Sequence, residues 1–198
     1  LNEIQKSLNV EKILNKYNIK NKKIILFPLS FRFSYVENSP DKIILNELYK
    51  NFKNEPETII LVRPHPGDTF SQTILDKICP ESNFMCSVTS LFEDITLCDV
   101  VLQSPISTVG SEAVIFEKPV LFVNILEKNI SEDMDPVYHK LLENYLVKLI
   151  DKEDIKSAIS SIKKNTLQNQ STIEHDNFIS DFFNLNQKPN FFKLLFSD

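Results

Sequence analysis

Residues 97–124 read LCDVVLQSPISTVGSEAVIFEKPVLFVN. An apolar run at 99–103 passes through a hydroxyl-rich turn into a helical pattern over 107–117. A second apolar run follows at 119–123. Neither run alternates polar with apolar residues, so each predicts a strand buried on both faces. That is the mark of a parallel sheet covered by helices. The alternation extends outward in both directions. Upstream come a helix at 2–17, a strand at 23–28 halted by Pro28, a helix at 41–53 capped by Asp41 and a strand at 57–62 halted by Pro64 and Pro66. A helix at 69–78, a weak strand at 83–88 and a helix at 91–97 complete that side. Downstream the pattern predicts a helix at 135–145, a short strand at 146–150 and a helix at 151–164 capped by Asp151. A helix at 172–184 and an apolar segment at 189–196 close the chain. The expected architecture is α/β: a parallel sheet with helices on both faces over 1–165, then a helical extension over 166–198.

Composition narrows the function. The chain has 198 residues, 42% hydrophobic and 25% charged, with a net charge of -5, so nucleic acid is not expected as a partner. Gly67 and Gly110 are the only glycines, which excludes both glycine-rich phosphate loops, GxGxxG and GxxxxGK. Cys79, Cys86 and Cys98 form no CxxC pair, so neither a zinc knuckle nor a disulfide framework is expected, and the three read as small core residues. No run approaches the ~20 apolar residues that span a bilayer. The expected location is cytoplasmic, with peripheral association at the inner face of the membrane as an extension of that reading. Leu1 rather than Met opens the sequence, which suggests that more chain precedes it.

In a parallel sheet, ligands bind beyond the carboxyl ends of the strands. Three loops stand there. The first is Arg63-Pro64-His65-Pro66-Gly67-Asp68. Its prolines stiffen it and remove N–H donors, so it presents side chains, and an extended backbone puts Arg63 and His65 on one side. Asp68 or Thr69 can cap the next helix. Guanidinium and imidazole together suit an anion; the alternative is a rigid turn with His65 bonded to backbone and Arg63 in a surface ion pair. The second loop, Ser104 to Ala113, crowds Ser104, Ser107, Thr108 and Ser111 around a helix start, where hydroxyls and N–H groups suit phosphate. Gly110 allows a close approach, and Glu112 can accept from ribose hydroxyls. Plain capping by Ser107 or Thr108 is the alternative, with Glu112 as a first-turn carboxylate favoured by the helix dipole. The third loop carries Ser30 and Arg32 among Phe31, Phe33 and Tyr35, and reads equally as a solvent loop pinned by its aromatics. Val88-Thr89-Ser90 is a weaker fourth candidate. His139 and His175 read as surface or helix-end residues, and Asp133-Met134-Asp135 as a helix cap.

The stretches ILVRPHPGD and LFEDITLCDVVLQSPISTVGSEAVIFEKPVLFVN resemble the C-terminal nucleotide-binding domain of GT-B-type glycosyltransferases of surface polysaccharide biosynthesis. Sialyltransferase-like, Kdo-transferase-like and CDP-glycerol phosphotransferase-like enzymes are the most similar. The opening VEKILNKYNIKNKKIILFPLS resembles the start of that domain, and the likeness covers residues 10–125. It implies a Rossmann-like sheet forming one GT-B half, and a donor that is a CMP-, CDP- or UDP-linked sugar. It also implies a donor-phosphate role for His65 and for Ser107 and Thr108, and a ribose or sugar role for Glu112. UDP-N-acetylglucosamine 2-epimerases share the domain type but carry a Gly-Gly pair and a second Glu, where this chain reads Ser107-Thr108-Val109-Gly110-Ser111-Glu112.

The expectation is therefore a donor-binding domain of a glycosyltransferase acting on a glycan or lipid-linked acceptor. An acceptor domain outside these residues would supply the general base. His65 and Glu112 are the catalytic candidates. Ser30, Arg32, Arg63, His65, Ser104, Ser107, Thr108 and Glu112 are the substrate-binding ones, with no metal and no cofactor. A 2-epimerase-like isomerase and a non-catalytic interaction domain are the alternatives.

Overall fold

Six of the apolar runs form strands, and all pair in parallel. They are β1 (Lys23–Pro28), β2 (Thr58–Arg63), β3 (Phe84–Cys86), β4 (Val100–Gln103), β5 (Val120–Asn124) and β6 (Val147–Asp151). The computed structural model describes residues 10–30, 37, 39–104, 108–125 and 147–162. Within them α1 (Val10–Tyr17), α2 (Pro40–Phe52), α3 (Gln72–Ile78), α4 (Leu91–Leu97), α5 (Val109–Ile115) and α6 (Ile155–Ser161) alternate with the strands. The sheet order is β3-β2-β1-β4-β5-β6. The chain steps from β1 outward to β3, then returns to the other side of β1 at β4. The order reverses there, as in the Rossmann-like arrangement.

Strand residues alternate between two buried faces. Ile25, Phe27, Ile60, Val62, Val100 and Leu102 point to one side and join Ile44, Leu45 and Leu48 of α2, Leu75 of α3, and Ile155 and Ile159 of α6. Leu26, Leu61, Val101 and Phe122 are equally buried on the other side, where α1, α4 and α5 lie. Removing one such side chain costs about 2–5 kcal/mol. This two-sided core is why β1, β2 and β4 carry almost no polar residues before their last positions.

Helix boundaries differ from expectation where a nearby polar group competes. Asp41 does not cap α2. Ser39 does, accepting from the Lys42 N–H at 3.3 Å, with Pro40 as the first helical residue. Asp41 is fully buried and its Oδ2 accepts from both the backbone N–H and the hydroxyl of Ser30, each at 2.5 Å. Helix α3 begins after Ser71, because Asp68 folds back to accept from the Phe70 N–H at 3.2 Å. Helix α5 stops early: Glu117 is left-handed at φ 56°, and the N–H groups of Glu117 and Lys118 close on the carbonyls of Val114 and Ala113. Asp151 ends β6, its side chain makes no cap bond, and a 3-10 turn (Lys152–Asp154) precedes α6. The expected elements at 2–9, 135–145, 172–184 and 189–196, and the extension over 166–198, lie outside the described residues, as do Arg32, Ser107, His139 and His175.

Candidate functional site

The carboxyl ends of β1, β2 and β4 meet at the point where strand order reverses. Parallel sheets bind ligands at such an edge because the diverging connections leave a crevice. Ser30 follows β1, Arg63 ends β2, and Ser104 follows β4. The Leu29 N–H donates to the Arg63 carbonyl at 2.8 Å, which ties the first two ends together. Ser30 gives its hydroxyl to Asp41. Ser104 is buried, 1% exposed.

Arg63 is anchored inward. Its Nη1 donates to Asp94 Oδ2 at 2.6 Å and to the Thr89 carbonyl at 2.8 Å, with Ser87 Oγ at 3.2 Å. Asp94 is 0% exposed, so this ion pair is interior, not on the surface. Asp94 also receives the Ser87 hydroxyl at 2.5 Å, the Tyr17 hydroxyl at 3.1 Å and the Thr89 hydroxyl. The Val88 N–H donates to the Tyr17 oxygen at 3.1 Å. Burial raises the Tyr17 hydroxyl above its ordinary pKa, and the Asp94 charge adds to that, while hydrogen bonds from its neighbours oppose it. Of the fourth loop, Thr89 is thus part of the cluster, and Ser90 forms a reciprocal cap with Glu93 at the start of α4. That bond from the Ser90 N–H, with Lys16 beside it, holds the Glu93 carboxyl below its ordinary range.

His65 is exposed, and its Nδ1 accepts from the Gly67 N–H at 3.0 Å. A neutral ring accepting at Nδ1 carries its proton on Nε2. Thr108 is the exposed cap residue of α5; its side chain makes no capping bond, while its carbonyl accepts from the Ser111 hydroxyl at 2.7 Å. Glu112, one turn in, has a buried Oε2 with no hydrogen-bond partner among the described residues. Its burial pushes the carboxyl pKa up, and the Arg63 charge pulls it back down. Arg63 and Glu112 therefore act on one another electrostatically. Gly110 does serve a close approach, but by protein. A Cβ there would meet Gln103 Nε2 at 2.7 Å and the Phe122 ring at 3.0 Å.

Tyr17, Ser87 and Asp94 carried no weight in the sequence. One signal was available: Asp94 lies three residues after Leu91 and four before Cys98, at a core-facing position of α4. A carboxylate there needs buried donors, and Arg63 is the nearest charged one. Among the described residues, no group of His, Cys, Asp or Glu side chains is arranged to hold a metal ion.

No protein-family model and no curated protein sequence matches the chain. Solved structures do match in fold. HepE from Anabaena, in complex with UDP and glucose, superposes with a TM-score of 0.54 at 14% identity over 96% of this chain. The wall teichoic acid polymerase TagF, soaked with CDPG, gives 0.52 at 20% identity over 87%. WaaG, a glycosyltransferase involved in lipopolysaccharide biosynthesis, gives 0.50 at 15% over 87%. The matches span 52%, 42% and 47% of those chains, so this chain is about half their length. The fold is that of one Rossmann-like half of GT-B glycosyltransferases.

Proposed function

We propose that this chain is the donor-binding domain of a glycosyltransferase. It takes a sugar from a CMP-, CDP- or UDP-linked donor for transfer to a surface polysaccharide, glycan or lipid-linked acceptor. The observation that carries this reading is the Glu112 carboxylate. Among the described residues one of its oxygens is buried and accepts nothing, and the Arg63 charge acts on it. A buried acceptor without a donor is a standing cost, and a ligand hydroxyl relieves it. A ribose or sugar supplies such hydroxyls. The nucleotides carried by HepE and TagF structures of the same fold lend support.

In this reading the donor phosphates lie against Arg63 and His65. The N–H groups on Arg63 Nη2 and Nε, and the Nε2–H of His65, donate to phosphate oxygens as charge develops on the leaving group. Ser30, Ser104 and Thr108 border the same edge, and Arg32 and Ser107 belong to the same loops. The base that activates the acceptor comes from another domain. This reading involves no metal and sets the domain in the cytoplasm.

The test is calorimetry of the 198-residue chain with CMP, CDP, UDP and GDP, with and without EDTA. At least one nucleotide should bind, EDTA should leave its affinity unchanged, and His65→Ala should weaken it by ~1–3 kcal/mol, the value of a hydrogen bond to a charged group. Failure of all four to bind overturns the reading.

A further inference from the structure

Building on the donor-binding reading, we infer that Asp94 is a positioning residue: it grips one nitrogen of the Arg63 guanidinium so that the remaining N–H groups face an anionic ligand in the crevice. A carboxylate has about four acceptor positions. At Asp94 each is filled. Oδ2 takes Arg63 Nη1 and the Ser87 hydroxyl, and Oδ1 takes the Tyr17 and Thr89 hydroxyls. The two N–H groups of Nη1 are consumed by Asp94 and the Thr89 carbonyl. The N–H groups on Nη2 and Nε make no hydrogen bond among the described residues. The guanidinium therefore has a fixed back edge and an uncommitted front fork, the shape that matches a phosphate bidentately.

The cluster draws on α1, the β3–α4 loop and α4, segments up to 77 residues apart. Well-packed apolar side chains often stabilise an interior position as well as a buried ion pair does. The net charge also argues for orientation. If the site needed only positive charge, an adjacent carboxylate would work against it. Asp94 cancels the charge of Arg63 while fixing its plane. The two ideas give opposite signs for Asp94→Asn, which removes a negative charge and keeps the size. Charge alone predicts tighter anion binding; positioning predicts weaker binding.

The experiment labels arginine with nitrogen-15 in the full 198-residue chain, where Arg32 and Arg63 are the only arginines and Arg32→Lys assigns the signals. In wild type, Arg63 should show separate, slowly exchanging Nη1 and Nη2 resonances, because rotation about its guanidinium bond is blocked. In Asp94→Asn they should merge, and UDP or CDP affinity should fall about tenfold or more, with cooperative unfolding retained. Thr89→Val is the milder companion in case Asp94→Asn does not fold, with a loss of about threefold and partial merging. Separate Arg63 resonances persisting in the folded variant, or equal or tighter nucleotide binding by it, overturn the positioning role while the donor-binding reading stands. A wild type that binds no nucleotide overturns both, whatever the spectra show.

Discussion

Two carboxylates feel the Arg63 charge and are treated in opposite ways. Asp94 lies in the interior with all its acceptor positions met by Arg63, Ser87, Tyr17 and Thr89. Glu112 has a buried oxygen that receives nothing among the described residues, and burial raises its pKa. A saturated carboxylate is part of the scaffold, since adding a ligand would require breaking something. An unsaturated one is a vacancy in the hydrogen-bond pattern, and folding bears its cost. The difference teaches where to look for ligand contact: on the Glu112 side for hydroxyls, and on the outer edge of Arg63 for phosphate.

Truncation tests the contrast most severely. Asp94→Ala removes the anchor, strands the Arg63 charge and leaves the Tyr17 and Ser87 hydroxyls without their acceptor. Urea unfolding should show a loss of about 3–5 kcal/mol, as for a broken buried pair. If Asp94→Ala were as stable as wild type, the scaffold role would be wrong. Glu112→Gln should behave in the opposite way. Nucleotide affinity should fall about tenfold by calorimetry, because the amide is a poorer acceptor for hydroxyls. Stability at pH 7 should rise. The sign follows from burial. The folded chain holds the Glu112 proton more tightly than the unfolded one, so ionisation as pH rises through the carboxylate range destabilises the fold. The Tm advantage of Glu112→Gln should therefore close at about pH 4, where the unfolded carboxyl is also largely protonated. An advantage independent of pH would break the argument. The smallest effect belongs to Gly110→Ala. Helix propensity favours alanine there, but its Cβ would press on Gln103 and the Phe122 ring. Overpacking wins by about 1 kcal/mol, and a lower Tm should show it.

The strands were legible because two-sided burial writes itself as uninterrupted apolar runs. Lys23–Pro28 matched the reading residue for residue, and Thr58–Arg63 and Val120–Asn124 moved by one. Helix α4 at Leu91–Leu97 was equally plain. The caps were not, because several polar residues compete for each helix start, and the winner depends on a distant partner. Asp41 was an obvious cap until Ser30 claimed it. The likeness of fold to GT-B glycosyltransferases was legible in the motifs around His65 and Glu112. The buried cluster was not, since Tyr17 and Asp94 are 77 positions apart and no local pattern connects them. Their meeting is a product of the sheet order, which brings α1 and α4 together on one face.

The pairing of Arg63 with Asp94 also bears on how a ligand arrives. An adjoining carboxylate weakens the field that the Arg63 guanidinium projects into solvent, and the chain as a whole is acidic. In the proposed donor-binding role, an approaching anion would gain little from long-range attraction and most from contact with the outer fork. Capture of this kind discriminates by fit at contact range, and background electrolyte has little hold over its speed.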